Sequence, residues 1–381
     1  MRDRFARFLL VARWASAIVA LMYHVRFPMF VDYGAVHEKT LFSKAFYFLT
    51  GLGHESFAVF LVVDGVAAGL LLRHHARPVA ERAAMSGYLG SLYRILLPGL
   101  IFGAAFDLAG ALFFERSGVY ANLPAPNTLT LSSSSLLGNL LMLQPFAVPT
   151  FGSNAMLYLL SYLFWSFVLL VLFMRAGRLG PPLGGLAQAV LATAVVLAMP
   201  YEFLVWGATW LAGVAVVGLA ASRARKPSVP AALACFAGAL LLSRLVGSDT
   251  NLLLAPFGDW LIRCKYLLVG ISFALIPWAL YPKRARARDV RAGQTASLAF
   301  FCHFPATNLF VAAGSVVLAQ PIMQQPTPAR YAGFACVVLA CLATMALMAR
   351  VSTALAAVRI RTPGSSYSNG RAPTQPTDCG D

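Results

Sequence analysis

FLLVARWASAIVALMYHVRFPMF, residues 8–30, is the stretch whose reading decides the fold. Its apolar run reaches the ~20 residues that a helix needs to cross the hydrocarbon of a bilayer. Arg13 stands in its first half and His24 near its far end. The basic start in front of it, MRDRFAR, has the look of a secretory signal, but Arg13 interrupts the apolar part, no small-residue cleavage site follows and the run continues to Phe30. It therefore reads as an uncleaved first span.

The remainder of the 381 residues has the same character. Hydrophobic residues make up 59% and charged residues only 12%, and the mean hydropathy of +0.71 is far above that of a soluble protein of this length. Apolar runs recur near 8–30, 55–72, 88–113, 154–174, 184–200, 203–222, 230–246, 265–281, 296–318 and 331–350. These predict an all-α, polytopic transmembrane helical bundle of about ten spans. LLGNLLMLQPF, 136–146, is bounded by a serine run and by Pro145 and is brief for a crossing, so it reads as re-entrant or surface-lying.

Charge distribution tests that count. Lys and Arg number 30 against 14 Asp and Glu, a formal charge of +16. With ten spans and the N-terminus inside, the basic stretches 73–82, 175–178, 222–226 and 282–291, with Arg359 and Arg361, all fall on the cytoplasmic side. Counting 136–146 as a crossing would reverse everything after it. Both termini are thus expected to be cytoplasmic, with a membrane domain over 1–350 and a tail over 351–381 whose end, RTPGSSYSNGRAPTQPTDCGD, has a disordered composition. The basic residues sit between apolar runs and form no aromatic-interleaved face, so nucleic acid is not an expected partner. The six cysteines form no CxxC or Cys/His cluster, so neither a metal site nor a disulfide scaffold is expected.

Polar residues inside the apolar frame are the candidate chemistry. Arg13 and His24 are eleven residues apart, which on a helix leaves them about 20° from one face and about 16 Å apart along the axis. Both can line one interior groove, with Ala17 and Ala20 between them leaving space. The alternative is an arginine snorkelling to the headgroups and a histidine making a structural hydrogen bond. Arg26 reads as an interface residue.

Asp64, in AVFLVVDGVAAG, must pair or take up a proton, and could orient a histidine or meet an arginine. Arg94, four residues before Pro98, offers a donor fork for phosphate or for a lipid headgroup. Tyr158, Tyr162 and Trp165 suit an outer aromatic belt, Glu202 sits at the outer end of two spans, and His303 precedes Pro305, which frees a backbone carbonyl.

In this order the segments resemble the acyltransferase-3 family of integral membrane O-acyltransferases, which modify bacterial surface and secreted glycans. VARWASAIVALMYH is similar to the family's first-helix arginine–histidine pattern at Arg13 and His24. AVFLVVDGVAAG is similar to its phenylalanine-rich stretch, with Asp64 at the usual serine. YRILLP, LLMLQPFAVPTFGSNAMLYLLSYLFWSF and SLAFFCHFP complete the likeness, over roughly residues 8–318.

The resemblance implies transfer of an acetyl or succinyl group from acyl-coenzyme A, a co-substrate rather than a bound cofactor, to a glycan hydroxyl. It implies His24 as general base, Arg13 and Arg94 on the donor, Asp64 orienting His24 or pairing with Arg13, and His303, Glu202, Tyr162 and Trp165 as accessory residues. It further implies a bacterial inner-membrane location among membrane lipids, with glycan biosynthesis or export partners. One departure stands out. Leu163 occupies the position where the family carries a glutamate, which leaves Asp64 or Glu202 to supply an acid, or the chain impaired in catalysis and acting as a binding protein. A transporter of an anionic or lipid-linked glycan, with Arg13 and Arg94 in its pathway, is the alternative from a different class.

Overall fold

The computed structural model describes residues 2–73, 78–123, 129–144, 146–222, 224–246, 258–282, 285 and 294–360. The chain is 79% helix with no strand among the described residues. The helices are α1 (Arg2–Met29), α2 (Leu41–Thr50), α3 (Gly53–Arg73), α4 (Pro78–Phe113), α5 (Ser133–Leu140), α6 (Leu157–Ala176), α7 (Leu183–Ala198), α8 (Tyr201–Ala221), α9 (Val229–Leu245), α10 (Gly258–Leu280), α11 (Gln294–Val317) and α12 (Pro328–Ile360). Each of the expected apolar spans is helical. Seven candidate spans are long and apolar enough to cross a membrane, and α7, α9 and the Cys264–Leu280 part of α10 are apolar but shorter. Exposed leucines and valines such as Leu186, Val190 and Leu197 on α7 suit contact with lipid.

The long helices alternate in direction, and side-chain contacts fix the two ends of the bundle. At one end, called here the histidine end, His24 near the end of α1 meets His54 at the start of α3 through Tyr23, and His54 stacks on Tyr266 of α10. At the other, the arginine end, Phe5 of α1 packs on Tyr281 just past α10. Lys226, beyond α8, donates to the Tyr281 carbonyl there. Arg73 closes α3, the basic stretch 175–178 spans the end of α6, and residues 222 and 224–226 follow α8 at this arginine end. The basic stretches at 74–77 and most of 282–291, residues 247–257 and the tail 361–381 lie outside the described residues. Residues 351–360 continue α12, so helix extends past the expected start of the tail.

Helix α3 is central, packed on α1, α8 and α10. Lipid supplies no hydrophobic drive between spans, so close packing must hold them. Gly65 and Gly213 provide it: a side chain on Gly65 would collide with the Trp210 carbonyl, and one on Gly213 with the Val62 carbonyl. Only glycine lets these two backbones touch.

The segment between α4 and α6 starts and finishes at the histidine end, so α5 does not cross. Its eight residues turn back through Met142, whose backbone is left-handed at φ 56°. The Met142 carbonyl accepts from Ser161 Oγ and from Trp165 Nε1 at 2.7 Å. Asp107 anchors the segment from α4, accepting from the Ser153 amide and hydroxyl, each at 2.7 Å, while Asn308 of α11 donates to the same hydroxyl at 3.0 Å. Tyr120, within the segment, donates to the Phe106 carbonyl at 3.5 Å, and burial, aided by Asp107, pushes its hydroxyl above the ordinary range. The turn before α12 covers the end of α1, with Met323 and Gln324 amides donating to the Pro28 and Met29 carbonyls at 2.9 and 3.1 Å.

Candidate functional site

His24 and His303 form a pair. The helical phase of α1 turns His24 toward α11, and His24 Nδ1 lies 2.9 Å from His303 Nε2. His303 is fully buried, and its Nδ1 is 2.8 Å from the Ala299 carbonyl one turn back. A carbonyl can only accept, so His303 Nδ1 carries a proton. In the neutral ring its Nε2 is then an acceptor, and His24 Nδ1 must be the donor. The Ala20 carbonyl, one turn back, is a second acceptor for the His24 ring; with the proton on Nδ1 shared between it and His303, His24 Nε2 keeps its lone pair. Tautomer selection of this kind, by a chain of hydrogen bonds ending on a backbone carbonyl, is how a protein prepares an imidazole for one proton. The carbonyl that His303 shares is that of Ala299, one turn back.

His24 lines a cavity of about 1110 Å³ at the histidine end, together with Tyr23, His54, Tyr162, Trp206 and Glu202. Rings crowd the histidine: Phe57 stacks on it with centroids 6.0 Å apart, and Phe304 meets it edge-on at 5.0 Å. Tyr162 and Tyr158 face this cavity rather than an outer belt. Glu202, exposed, stands on its wall. Trp165 does not line it; its indole serves the Met142 turn.

Arg13 and Arg94 line a second cavity, of about 250 Å³, toward the arginine end. Arg13 is buried and pairs with Asp64 at 3.7 Å. Asp64 also accepts from Tyr88 at 2.5 Å and from Trp210 Nε1 at 3.0 Å. Of the two partners open to Asp64, the structure brings Arg13 to it, and His24 is not among its contacts. Arg94 is exposed at the mouth, without a partner among the described residues. Leu163 is buried and lines this same cavity, so the acid that shares a wall with it is Asp64, whereas Glu202 belongs to the other cavity.

Phenylalanines divide the two spaces. Phe57 lines the larger, Phe60 and Phe301 the smaller, and Phe300 packs among them, stacked on Phe60 with centroids 3.9 Å apart and edge-on to Phe57 at 5.6 Å. The Arg13 guanidinium lies 5.6 Å from the Phe60 ring centre. Arg13 and His24 share a helix face as their spacing predicts, but they open on two cavities rather than one groove.

Sequence reading missed Tyr88 and Trp210, the partners of Asp64, and the walls His54, Trp206 and Tyr266. Nothing local in the sequence marks Trp210, which reaches Asp64 from 146 positions away. His54 was visible as a polar residue at the start of a span. No group of three metal-ligating side chains occurs among the described residues, and those of the six cysteines that are described are free. No protein-family model, curated protein or solved structure matches this chain.

Proposed function

We propose that this protein is a membrane O-acyltransferase that moves an acyl group, acetyl or succinyl, from acyl-coenzyme A to a hydroxyl of a cell-surface or exported glycan. The observation that carries the reading is the His24–His303 pair, which assigns the proton of His24 to Nδ1 in a residue that lines a large cavity. In the reaction His24 Nε2 takes the hydroxyl proton as the oxygen attacks the thioester carbonyl, forming the C–O bond. Collapse of the tetrahedral intermediate breaks the C–S bond, and the imidazolium returns its proton to the departing thiolate. Arg13 and Arg94, at the smaller cavity, hold the donor's phosphates, and Asp64 acts on the donor side by keeping Arg13 extended and charged. Asp64 also supplies the acid of that cavity in place of a glutamate at Leu163.

In the orientation that goes with this reading the chain crosses the membrane ten times with both termini in the cytoplasm of a bacterial cell, the basic stretches lying inside. The arginine end then faces the pool of acyl-coenzyme A and the histidine end faces the exported acceptor.

The test measures release of free coenzyme A and the mass of surface glycan in cells carrying the wild type or His24→Ala. General-base catalysis is worth roughly 10²–10⁴ in rate, so His24→Ala, present in the membrane at normal level, is expected to lose transfer by that factor. Transfer at the wild-type rate overturns the reading. Movement of glycan into vesicles without any gain in mass, dependent on Arg13 and Arg94, favours a transporter instead.

A further inference from the structure

Beside the large cavity, at the same end of the bundle, lies a third space of about 510 Å³ lined by Arg26, Lys44 and Arg244 together with Asp32 and Glu55. Tyr23, His54 and Tyr266 line both spaces, so the two are neighbours across a wall of three rings. Arg26, which the sequence reads as an interface residue at the end of a span, lines this space. Its guanidinium is held between Tyr23 and Tyr47, 5.7 and 5.2 Å from their ring centres. Arg244, from α9, lies 5.8 Å from the Phe48 ring centre and donates to the Gly51 carbonyl at 3.1 Å.

Neither guanidinium is in a contact ion pair among the described residues. Arg26 Nε and Arg244 Nε are buried without any hydrogen-bond partner, and among the described residues no carboxylate lies within ion-pair distance of either. Of the two carboxylates in the lining, Glu55 accepts from the Ser243 hydroxyl at 2.7 Å, and Asp32 attracts Arg26 only from beyond contact distance. Two arginines with buried donors sharing one space are costly unless an anion completes them. Rigid guanidinium forks on aromatic faces are suited to a planar or tetrahedral oxyanion.

We propose that this space is a subsite for an oxyanion group carried by the acceptor, the carboxylate of an acidic sugar or a phosphate of the glycan chain, gripped by Arg26 and Arg244 with Lys44 at the rim. The acceptor's sugar then leans on Tyr23, His54 and Tyr266, and its neighbouring residue presents a hydroxyl to His24. This deepens the acyltransferase reading and rests on it for the word acceptor: the enzyme selects anionic glycans.

The experiment uses the purified full-length protein in phosphatidylcholine nanodiscs and measures binding of glucuronate, inorganic phosphate and glucose, with no acyl donor present. Glucuronate, phosphate or both are expected to bind and glucose not to. Arg26→Gln and Arg244→Gln are each expected to weaken the bound anion roughly 10- to 100-fold, the range of a lost charge-assisted hydrogen bond. Because Arg26 also packs on two tyrosines, Arg26→Lys and the exposed Lys44→Gln accompany it; these should fold normally and weaken binding less. Equal binding of glucose and glucuronate with no response to phosphate, or anion binding indifferent to all four substitutions, overturns the proposal. Native mass spectrometry separates the two sources of such an anion. Phosphatidylglycerol retained by the wild type and lost in Arg244→Gln, with neither glucuronate nor phosphate binding, means a lipid headgroup site and also overturns it. His24→Ala should keep anion binding whatever becomes of acyl transfer, so failure of the subsite and failure of the proposed activity are read apart.

Discussion

Replacing His303 tests the chain of hydrogen bonds behind His24 most directly. His303→Ala removes the acceptor 2.9 Å from His24 Nδ1. In the ground state this is a bond between neutral groups, worth ~0.5–1.5 kcal/mol; once His24 has taken the substrate proton it becomes charge-assisted and worth ~1.5–3 kcal/mol. Only the strengthening counts toward kcat, a difference of ~1–1.5 kcal/mol that converts to about a 5- to 13-fold loss. KM for acceptor and donor should stay level, because His303 is fully buried and touches neither. His303→Gln can offer its Oε1 to the same proton and is expected to recover most of the rate. The assay is coenzyme A release by purified protein at saturating donor, with the acceptor varied. Nitrogen NMR of labelled imidazoles supplies a second readout independent of activity: both rings should be protonated at Nδ1 in the neutral protein. An unchanged kcat in His303→Ala, a Gln variant no better than Ala, or a His24 ring protonated at Nε2 would refute the reasoning.

Three other outcomes follow from the packing. Asp64→Ala strands buried Arg13 together with the Tyr88 and Trp210 donors, and should cost ~3–5 kcal/mol of stability; denaturation in micelles checks this, and the double variant with Arg13→Met should be more stable than Asp64→Ala alone. Gly65→Val drives a side chain into the Trp210 carbonyl, prising α3 from α8 at ~1–3 kcal/mol or more, seen as a lower yield of monodisperse protein by size exclusion. Phe300→Ala opens the ring layer between the two cavities, so coenzyme A release without acceptor should rise relative to transfer; if neither rate moves, the layer does not separate donor from water.

Much of the architecture was legible because each span's apolar length is a local property. Arg13 and His24 were legible as a pair for the same reason: residues eleven apart on one helix share a face whatever surrounds it. What the sequence could not supply was which helices oppose that face. His303 could be noticed but not joined to His24, since the two are 279 positions apart. Asp64 was left between two roles until Tyr88, Trp210 and Arg13 were seen to occupy it. The helix α2 escaped notice because ten residues are too few for a span and its apolar spacing merges with the span that follows. Arg26 shows the same limit: a cation at the end of an apolar run reads as an interface anchor, and the tyrosines that hold it, one of them on α2, cannot be read from that run.

The two cavities impose a condition on any acyl transfer in this bundle. Reacting atoms must approach to ~3–3.5 Å, yet Arg13 and His24 are separated by about 16 Å of helix and by the stacked rings of Phe60 and Phe300. A donor whose phosphates stay with the arginines therefore has to send its thioester past those rings, and the part of the smaller cavity lined by Leu163, Phe60 and Phe301 is the apolar surface it would meet before them. A glutamate at Leu163 would add a second carboxylate to a space where Asp64 already neutralises Arg13, competing for the one buried cation that a diphosphate would need. Leucine leaves Arg13 with a single internal partner and Arg94 with none among the described residues, so on this argument the departure at position 163 favours an anionic donor rather than excluding one.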